Sequence, residues 1–250
     1  MTYSIIAKDA DTGEIGLAVA SRFFAAGAAV GYLGRNCAVA TQAFVNPMWG
    51  VEGRVRLSVG EAADRVFQDL RARDDGEAIR QCHMLDNHGN FAAHTGADCV
   101  DWAGHRCGRL HSVAGNMLTG PEVVDATFDA FAEAKGALAD RLLAAMDAGL
   151  AAGGDKRGQQ SAALTIHRGQ PYPFLSLRVD DDAAPLDELR RLLDVSSERY
   201  IHVAEAMPTE QNFSGTPTRD HIDQKIKQAD ADRIARGRPS LSRATTQGKA

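Results

Sequence analysis

The 250-residue sequence lacks several features that mark whole classes of protein. It has no run of about 18 or more apolar residues, so we expect no segment that spans a membrane. The opening stretch, MTYSIIAKDADTG, lacks the basic, apolar and small-residue sections of a signal peptide. With no sign of secretion in the sequence, we expect a cytoplasmic protein.

Residues that bind metals or phosphate are sparse and poorly spaced. The four cysteines include no C-x-x-C pair, and the eight histidines show no H-x-H or H-x-x-x-H spacing. The sequence also lacks a phosphate-binding glycine loop and a G-x-S-x-G nucleophile elbow. We therefore expect free, buried thiols, no metal and no cofactor.

Positive charge is not in excess either. The chain has 28 lysines and arginines against 33 acidic residues, which gives a formal net charge of −5. Because binding to nucleic acid needs a concentrated basic face, we expect no nucleic-acid partner. The hydrophobic content of 44% is near the average for globular proteins, so most of the chain should fold.

Apolar runs and turn residues predict strands in hairpins and helices in blocks. The runs at 2–8 and 14–21 predict a first hairpin that is covered on both faces. Further strands are predicted at 35–44, 78–85, 90–96, 109–118, 161–168 and 173–180. Helices are predicted from two capping boxes, Ser58–Glu61 and Thr119–Glu122, and at about 136–151 and 185–207. The glycine-rich stretch at 23–34 is too dense in glycine to predict a firm helix. This order indicates an α+β fold with helices layered on antiparallel sheets.

The composition changes after Met207-Pro208. A polar linker, a polar segment with only a thin apolar stripe, and a tail follow in turn. We therefore predict one domain over 1–206, and a linker, a possible isolated helix and a flexible tail over 207–250.

Thr2 is the leading candidate for a catalytic residue. Cytosolic processing removes an initiator methionine when the next residue is small, which would leave Thr2 with a hydroxyl and a free α-amine. An α-amine with a pKa of about 7.7–8 can accept the hydroxyl proton at neutral pH. The predicted strand starts directly at Thr2, so we expect a sheet to hold the amine in place.

Four segments in collinear order carry a family resemblance: TYSIIAKDADTGEIGLAVASRF, AVATQAFVNPMWG, VAGNMLTGPEVV and AGGDKRGQQSAAL. Over about residues 1–206 the chain resembles domain-of-unknown-function family 1028, which is similar to the N-terminal-nucleophile (Ntn) hydrolases. The resemblance implies a four-layer αββα sandwich of two antiparallel sheets flanked by helices. It also implies a homo-oligomer, because such sandwiches often assemble through their outer helices.

A more distant likeness to proteasome-type subunits implies roles for single residues. Thr2 would be the nucleophile, and the oxyanion-hole amide would fall near Gln42-Ala43. The glycine loop before the helix pair would contribute Asn116, and the loop before the next strand would contribute Asp155. That type has an acidic residue near Ser21 and a lysine near Arg35, and both are missing here, which leaves the α-amine as the base.

Several polar residues lie where the sequence otherwise predicts apolar structure. Gln42 within a strand and Arg22 at a strand end each need a buried partner or a substrate. Arg157, in a charged glycine-rich turn, could bind a carboxylate, with Gln160 following it. The side-chain amide of Asn116 could stabilise an oxyanion or could serve only the turn in which it lies.

The leading hypothesis is hydrolysis of a small linear amide by Thr2, with Asn116 at the oxyanion and Asp155 or Arg157 at the charged end of the substrate. The alternative is a non-catalytic binding or scaffold protein on the same fold, since a fold does not imply an activity. A third possibility is an enzyme whose nucleophile is Ser4 or Ser21.

Overall fold

Two antiparallel sheets form the centre of the structure, a computed structural model that describes residues 2–245. Within this range the strands, β1 to β10 in chain order, are Thr2–Lys8, Ile15–Ser21, Gly31–Leu33, Ala38–Ala43, Arg80–Leu85, Phe91–Thr95, Trp102–Cys107, His111–Leu118, Ser161–His167 and Leu175–Val179. The α-helices, α1 to α8, are Ala26–Ala29, Pro47–Ser58, Ala63–Ala72, Glu122–Glu133, Leu138–Ala151, Pro185–Glu198, Tyr200–Ala204 and Asp220–Ala235.

The sheets and helices stack in layers. One sheet has the strand order β10-β9-β2-β1-β8-β7, and the other has the order β3-β4-β5-β6. Helices α4 and α5 pack on the outer face of the six-stranded sheet, whereas α2 and α3 pack on the outer face of the four-stranded sheet. The inner faces meet, with β1 and β2 against β4 and with β8 against β5 and β6. The predicted α+β sandwich is therefore confirmed.

Strand β1 lies in the middle of the six-stranded sheet, between β2 and β8. It is buried along nearly its whole length, as its apolar sequence predicts. Because side chains alternate along a strand, Thr2, Ser4 and Ile6 share one face. Ile6 belongs to the apolar core between the sheets. On the opposite face, the Tyr3 hydroxyl donates to the carbonyl oxygen of Met146 in α5 at 2.8 Å. Thr2 therefore faces the second sheet.

Helix α2 was not predicted from the sequence. Its start carries an ordinary signal, because Asn46 accepts a hydrogen bond from the Met48 amide at 3.0 Å and Pro47 is the first helical residue. Two glycines inside the segment concealed the helix. At Gly50 an added Cβ would overlap the Tyr32 ring, so glycine permits close packing of the helix against the sheet.

Neither of the two predicted capping boxes forms. Ser58 is the last residue of α2, and its hydroxyl donates back to the Arg54 carbonyl at 2.7 Å. Glu61 pairs with Arg56 at 2.7 Å instead of capping α3. At the second predicted box, α4 begins at Glu122 but has no side-chain cap.

Two other segments and the cysteines differ from their predictions. The partly exposed strand β7 lies at the sheet edge, and its sequence, WAGHRC, lacks the alternation that would have predicted it. The glycine-rich stretch forms the short helix α1 and strand β3. All four cysteines are free thiols, but only Cys37 and Cys82 are buried, whereas Cys107 is exposed.

The chain divides into two compact units between Leu189 and Arg190. The change in composition predicted a domain boundary at 206/207, and this boundary stays a prediction. In the second unit, α8 forms at the predicted polar segment, where Lys225 pairs with Glu205 at 2.9 Å. Ile226 is its one buried residue.

None of the helices in the 2–245 range combines the length and apolarity needed to cross a bilayer. The same part of the chain holds no group of three or more His, Cys, Asp or Glu side chains that could hold a metal ion.

Candidate active site

Thr2, Ser21 and Asn116 meet at one end of the six-stranded sheet. Thr2 is opposite Ser21 on β2 and opposite Asn116 on β8. The Thr2 and Ser21 hydroxyl oxygens are 3.1 Å apart, and the Asn116 Nδ2 donates to the Thr2 carbonyl oxygen at 3.4 Å. All three residues are buried, and Thr2 is 7% exposed. The structure thus brings together a hydroxyl pair and a side-chain amide at the start of the central strand.

Asp155 lies at the same end of the sheet, in the turn after α5. Gly153 and Gly154 both have positive φ, which lets the chain reverse sharply before Asp155. One carboxylate oxygen accepts the Arg22 amide at 2.7 Å, and the other accepts the Arg157 amide at 2.8 Å. The Asp155 side chain is only 3% exposed. Asp155 therefore braces the β2 end against this turn, and its expected part in holding a substrate stays a prediction.

Arg22, Arg157 and Gln160 form a polar rim beside Thr2. The Arg22 guanidinium donates to the Gln160 Oε1 at 2.7 Å, and the Gln160 Nε2 donates to Asp181 at 3.0 Å. Arg157 pairs with Asp155 at 3.6 Å. Both arginines are exposed, and within residues 2–245 no carboxylate forms an ion pair with Arg22. The rim therefore presents positive charge to the solvent on the β2 side of Thr2.

Gln42 is fully buried between the sheets, and of the two expectations for it, a buried partner or a substrate, the structure supplies buried partners. Its Nε2 donates to the Gln81 Oε1 at 2.9 Å and to the Ala114 carbonyl at 3.1 Å. The Gln81 Oε1 also accepts from the Asn116 Nδ2 at 3.0 Å. Gln42 and Gln81 are directly opposite each other in the β4–β5 register. The hydrogen bonds of Gln81 with Gln42 and with Asn116 thus fix the orientation of the Asn116 side chain.

Ser4 is also enclosed, which removes it as a candidate nucleophile. Its hydroxyl donates to the Gln42 Oε1 at 2.6 Å, so the hydroxyl proton is already used in that hydrogen bond. The His83 Nε2, 2.9 Å from the Ser4 oxygen, must then be the donor in that pair. The His83 Nδ1 in turn accepts from the Ser112 hydroxyl at 2.7 Å. In this tautomer His83 cannot take a proton from Ser4.

Burial holds the pKa of His83 at about 3, well below its ordinary value. The unfolded chain, with a histidine pKa of about 6.5, binds the proton more readily. Stability is therefore full above pH 6.5 and is lost as the pH falls toward 3. We expect wild type to lose about 2 kcal/mol more than His83→Gln between pH 7 and pH 5, measured by urea unfolding. The exposed His88→Gln should keep the wild-type pH dependence, and an unchanged slope in His83→Gln would contradict the assignment.

A cavity of about 220 Å³ adjoins Asn116. We call it the side pocket, and its walls are Ala43, Phe44, Ile79, Val100, Asn116 and Met117, joined by Asp98 and Cys99. Ala43 and Met117 adopt positive φ values of 65° and 54°, a conformation that side chains other than glycine rarely take. The predicted oxyanion residue Ala43 and the predicted residue Asn116 therefore line one cavity, which the sequence did not reveal.

Arg35, by contrast, is remote from this end of the fold. It precedes β4, whereas Ala43 ends β4, and a strand advances about 3.3 Å per residue. It lines a different, open surface cavity together with Arg54. Arg35 therefore lies at the opposite end of β4 from Ala43.

Sequence and structure comparisons identify relatives of this chain. The model of a family of unknown function, DUF1028, matches residues 2–189. The chain belongs to this family. The crystal structure of protein SPO2555 from Silicibacter pomeroyi, which carries the same family designation, is similar at 30% identity and a TM-score of 0.79. The similarity covers 86% of this chain and 98% of SPO2555. None of the curated proteins matches.

The DUF1028 match includes every residue of the candidate site, and the predicted membership in this family is confirmed. Sequence reasoning missed Gln81, although it is a polar residue in an apolar strand, the same signal that singled out Gln42. It also missed the apolar walls of the side pocket, because they come from four separate segments of the DUF1028 chain.

Proposed function

We propose that this DUF1028 protein hydrolyses the C–N bond of a small linear amide, with Thr2 as the nucleophile after removal of Met1. The observation that carries the proposal is the position of the Thr2 hydroxyl. It lies at the start of the central strand, on the face between the sheets and 3.1 Å from the Ser21 hydroxyl. Fixed strands on both sides give that hydroxyl a single, defined place.

The proposed reaction uses the α-amine that processing would free on Thr2. The Thr2 Oγ attacks the amide carbon while the α-amine takes its proton. The resulting ammonium protonates the departing nitrogen, the C–N bond breaks, and an ester remains on Thr2. Water then attacks the ester with the amine again as base, which releases the acid and restores the hydroxyl. Ser21 would orient the Thr2 hydroxyl through their hydrogen bond.

The oxyanion of the tetrahedral intermediate needs hydrogen-bond donors. We assign the Asn116 side-chain amide and the Ala43 backbone amide to this role. Both residues line the side pocket. Asn116 makes a short bond to Gln81 and a longer one, 3.4 Å, to the Thr2 carbonyl. A substrate oxygen can replace the longer bond at a small cost in free energy. The bond to Gln81 meanwhile keeps the Asn116 side-chain amide in the same orientation.

The polar rim would bind a charged part of the substrate. Arg22 carries exposed positive charge on the β2 side of Thr2 and has no ion pair with a described carboxylate, whereas the exposed Arg157 beside it is paired with Asp155. A guanidinium binds a carboxylate through two parallel hydrogen bonds, which fixes both position and orientation. We therefore propose that the amine half of the substrate carries a carboxylate.

The requirement for a free α-amine provides the test. The chain is prepared with a cleavable leader and compared, with and without the leader, in acylation by a β-lactone. We expect acylation only after cleavage, with a rate that rises with pH through about 7.7–8 and then levels off. Equal acylation with the leader in place would instead favour Ser21, and no acylation in either form would favour a non-catalytic protein.

A further inference from the structure

Apart from the two oxyanion donors that line it, the side pocket has no part in the proposed reaction, although it adjoins the reacting residues. Asn116 lines the pocket and is also directly opposite Thr2 in the β1–β8 register. Opposed residues of antiparallel strands have Cα atoms about 4.5–5.5 Å apart. An acyl chain whose carbonyl carbon lies at the Thr2 hydroxyl therefore has to extend past only one residue, Asn116, to enter the side pocket.

The size of the pocket limits what can occupy it. Its volume is about 220 Å³. A cavity of about 150 Å³ can hold benzene, whereas pockets for whole drug-sized ligands occupy about 300–1,000 Å³. The side pocket is therefore suited to one side-chain-sized group and not to a whole substrate.

The walls of the pocket determine the chemistry of that group. Phe44, Ile79, Val100 and Met117 give it an apolar surface. Burial raises the pKa of the Cys99 thiol, so this wall residue stays neutral. An apolar group gains by leaving water in such a site, whereas a charged group would lose its hydration.

The charged groups next to the side pocket also favour an uncharged ligand. The Asp98 carboxylate is exposed and has no hydrogen bond or ion pair with any other described residue. The neighbouring cation, Arg80, is already paired with Asp74 at 3.0 Å and donates to the Phe44 carbonyl at 2.8 Å. The net charge beside the pocket is therefore negative, which disfavours a carboxylate on the entering group.

We propose that the side pocket binds the acyl half of the substrate, as an uncharged apolar chain of branched-alkyl or benzyl size. This inference rests on the proposed function and extends it. With the positive rim on the opposite side of Thr2, the substrate class becomes an N-acyl compound with an apolar acyl chain and an anionic amine part.

The test uses p-nitrophenyl esters of acetic, 3-methylbutanoic, phenylacetic and glutaric acids, with each rate of Thr2 acylation divided by the rate of ester hydrolysis in buffer. A single methylene in an apolar pocket can change selectivity about 10-fold. We expect the 3-methylbutanoyl and phenylacetyl esters to react at least about 10-fold faster than the acetyl ester, and the anionic glutaryl ester to react slowly.

Two variants locate the selectivity in the side pocket. Val100→Trp, at a wall residue that is 60% exposed, should abolish the preference for the larger chains. The matched control Ala97→Trp, at an exposed position outside the pocket, should behave as wild type. Asp98→Asn should accelerate only the glutaryl ester. Equal rates for all chains in wild type, or a preference that survives Val100→Trp, would overturn the inference while acylation of Thr2 still supports the proposed function. Failure of every ester, acetyl included, would overturn both.

Discussion

Thr2→Ala is expected to reduce amide hydrolysis and Thr2 acylation to background, a loss of at least about 10³-fold. The substitution removes the attacking hydroxyl but keeps a small residue at position 2, so removal of Met1 should proceed as before. The hydrogen bond to Ser21 and one buried methyl group are lost from the fold, which should lower the free energy of unfolding by about 1–2 kcal/mol.

Thr2→Ser is the matched control for that loss. It keeps a hydroxyl and an α-amine on one residue, but serine lacks the branching that restricts threonine at χ1. We therefore expect Thr2→Ser to retain acylation at a rate reduced by about 10-fold or less. Initial rates with a chromogenic ester measure both variants. Activity that persists in Thr2→Ala would show that the hydroxyl of Thr2 is not the nucleophile.

Asn116→Ala should give the second-largest effect, a fall of about 10²–10³-fold in the acylation rate. The variant removes the donor proposed for the oxyanion and also the bond to the Thr2 carbonyl. Because it leaves the Gln81 oxygen with one partner fewer in a buried site, we also expect a stability loss of about 1–3 kcal/mol.

Ser112→Ala separates the two consequences of Asn116→Ala. Ser112 lies on the same strand and the same face, where it bonds to His83, but it is four residues away from Asn116 and is not paired with Thr2. It should lose comparable stability while acylating at nearly the wild-type rate. If both variants lose the same activity, the effect of Asn116→Ala is on folding and not on the reaction.

Most strands of the two sheets could be predicted from apolar runs in the sequence, and β1 and β2 are apolar on both faces, whereas β3 and β7 were missed. The hairpin of β1 and β2 and the hairpin of β5 and β6 form at the predicted positions. Helix α2 could not be predicted, because Gly50 and Gly53 matter only through the sheet that approaches them. For α2, the deciding contact is with Tyr32, which lies outside the helix.

The candidate site shows the same division. Thr2 and Asn116 were predicted from short local segments and from a family resemblance, and they lie opposite each other in the structure. Gln42 was correctly expected to need a partner, and its partner is Gln81 on the neighbouring strand. The side pocket depends on the packing of the two sheets, which brings Ala43 of β4 and Met117 of β8 together with Val100, and no local pattern encodes that packing.

The intact mass of the untagged protein, before and after exposure to a β-lactone, shows whether Thr2 is the nucleophile. We expect a mass without Met1, a single adduct after exposure, fragmentation that places the adduct on Thr2, and no adduct on Thr2→Ala. Retention of Met1, or a processed Thr2 that is never acylated, would contradict the proposed role of Thr2 and favour a binding or scaffold role on the same fold.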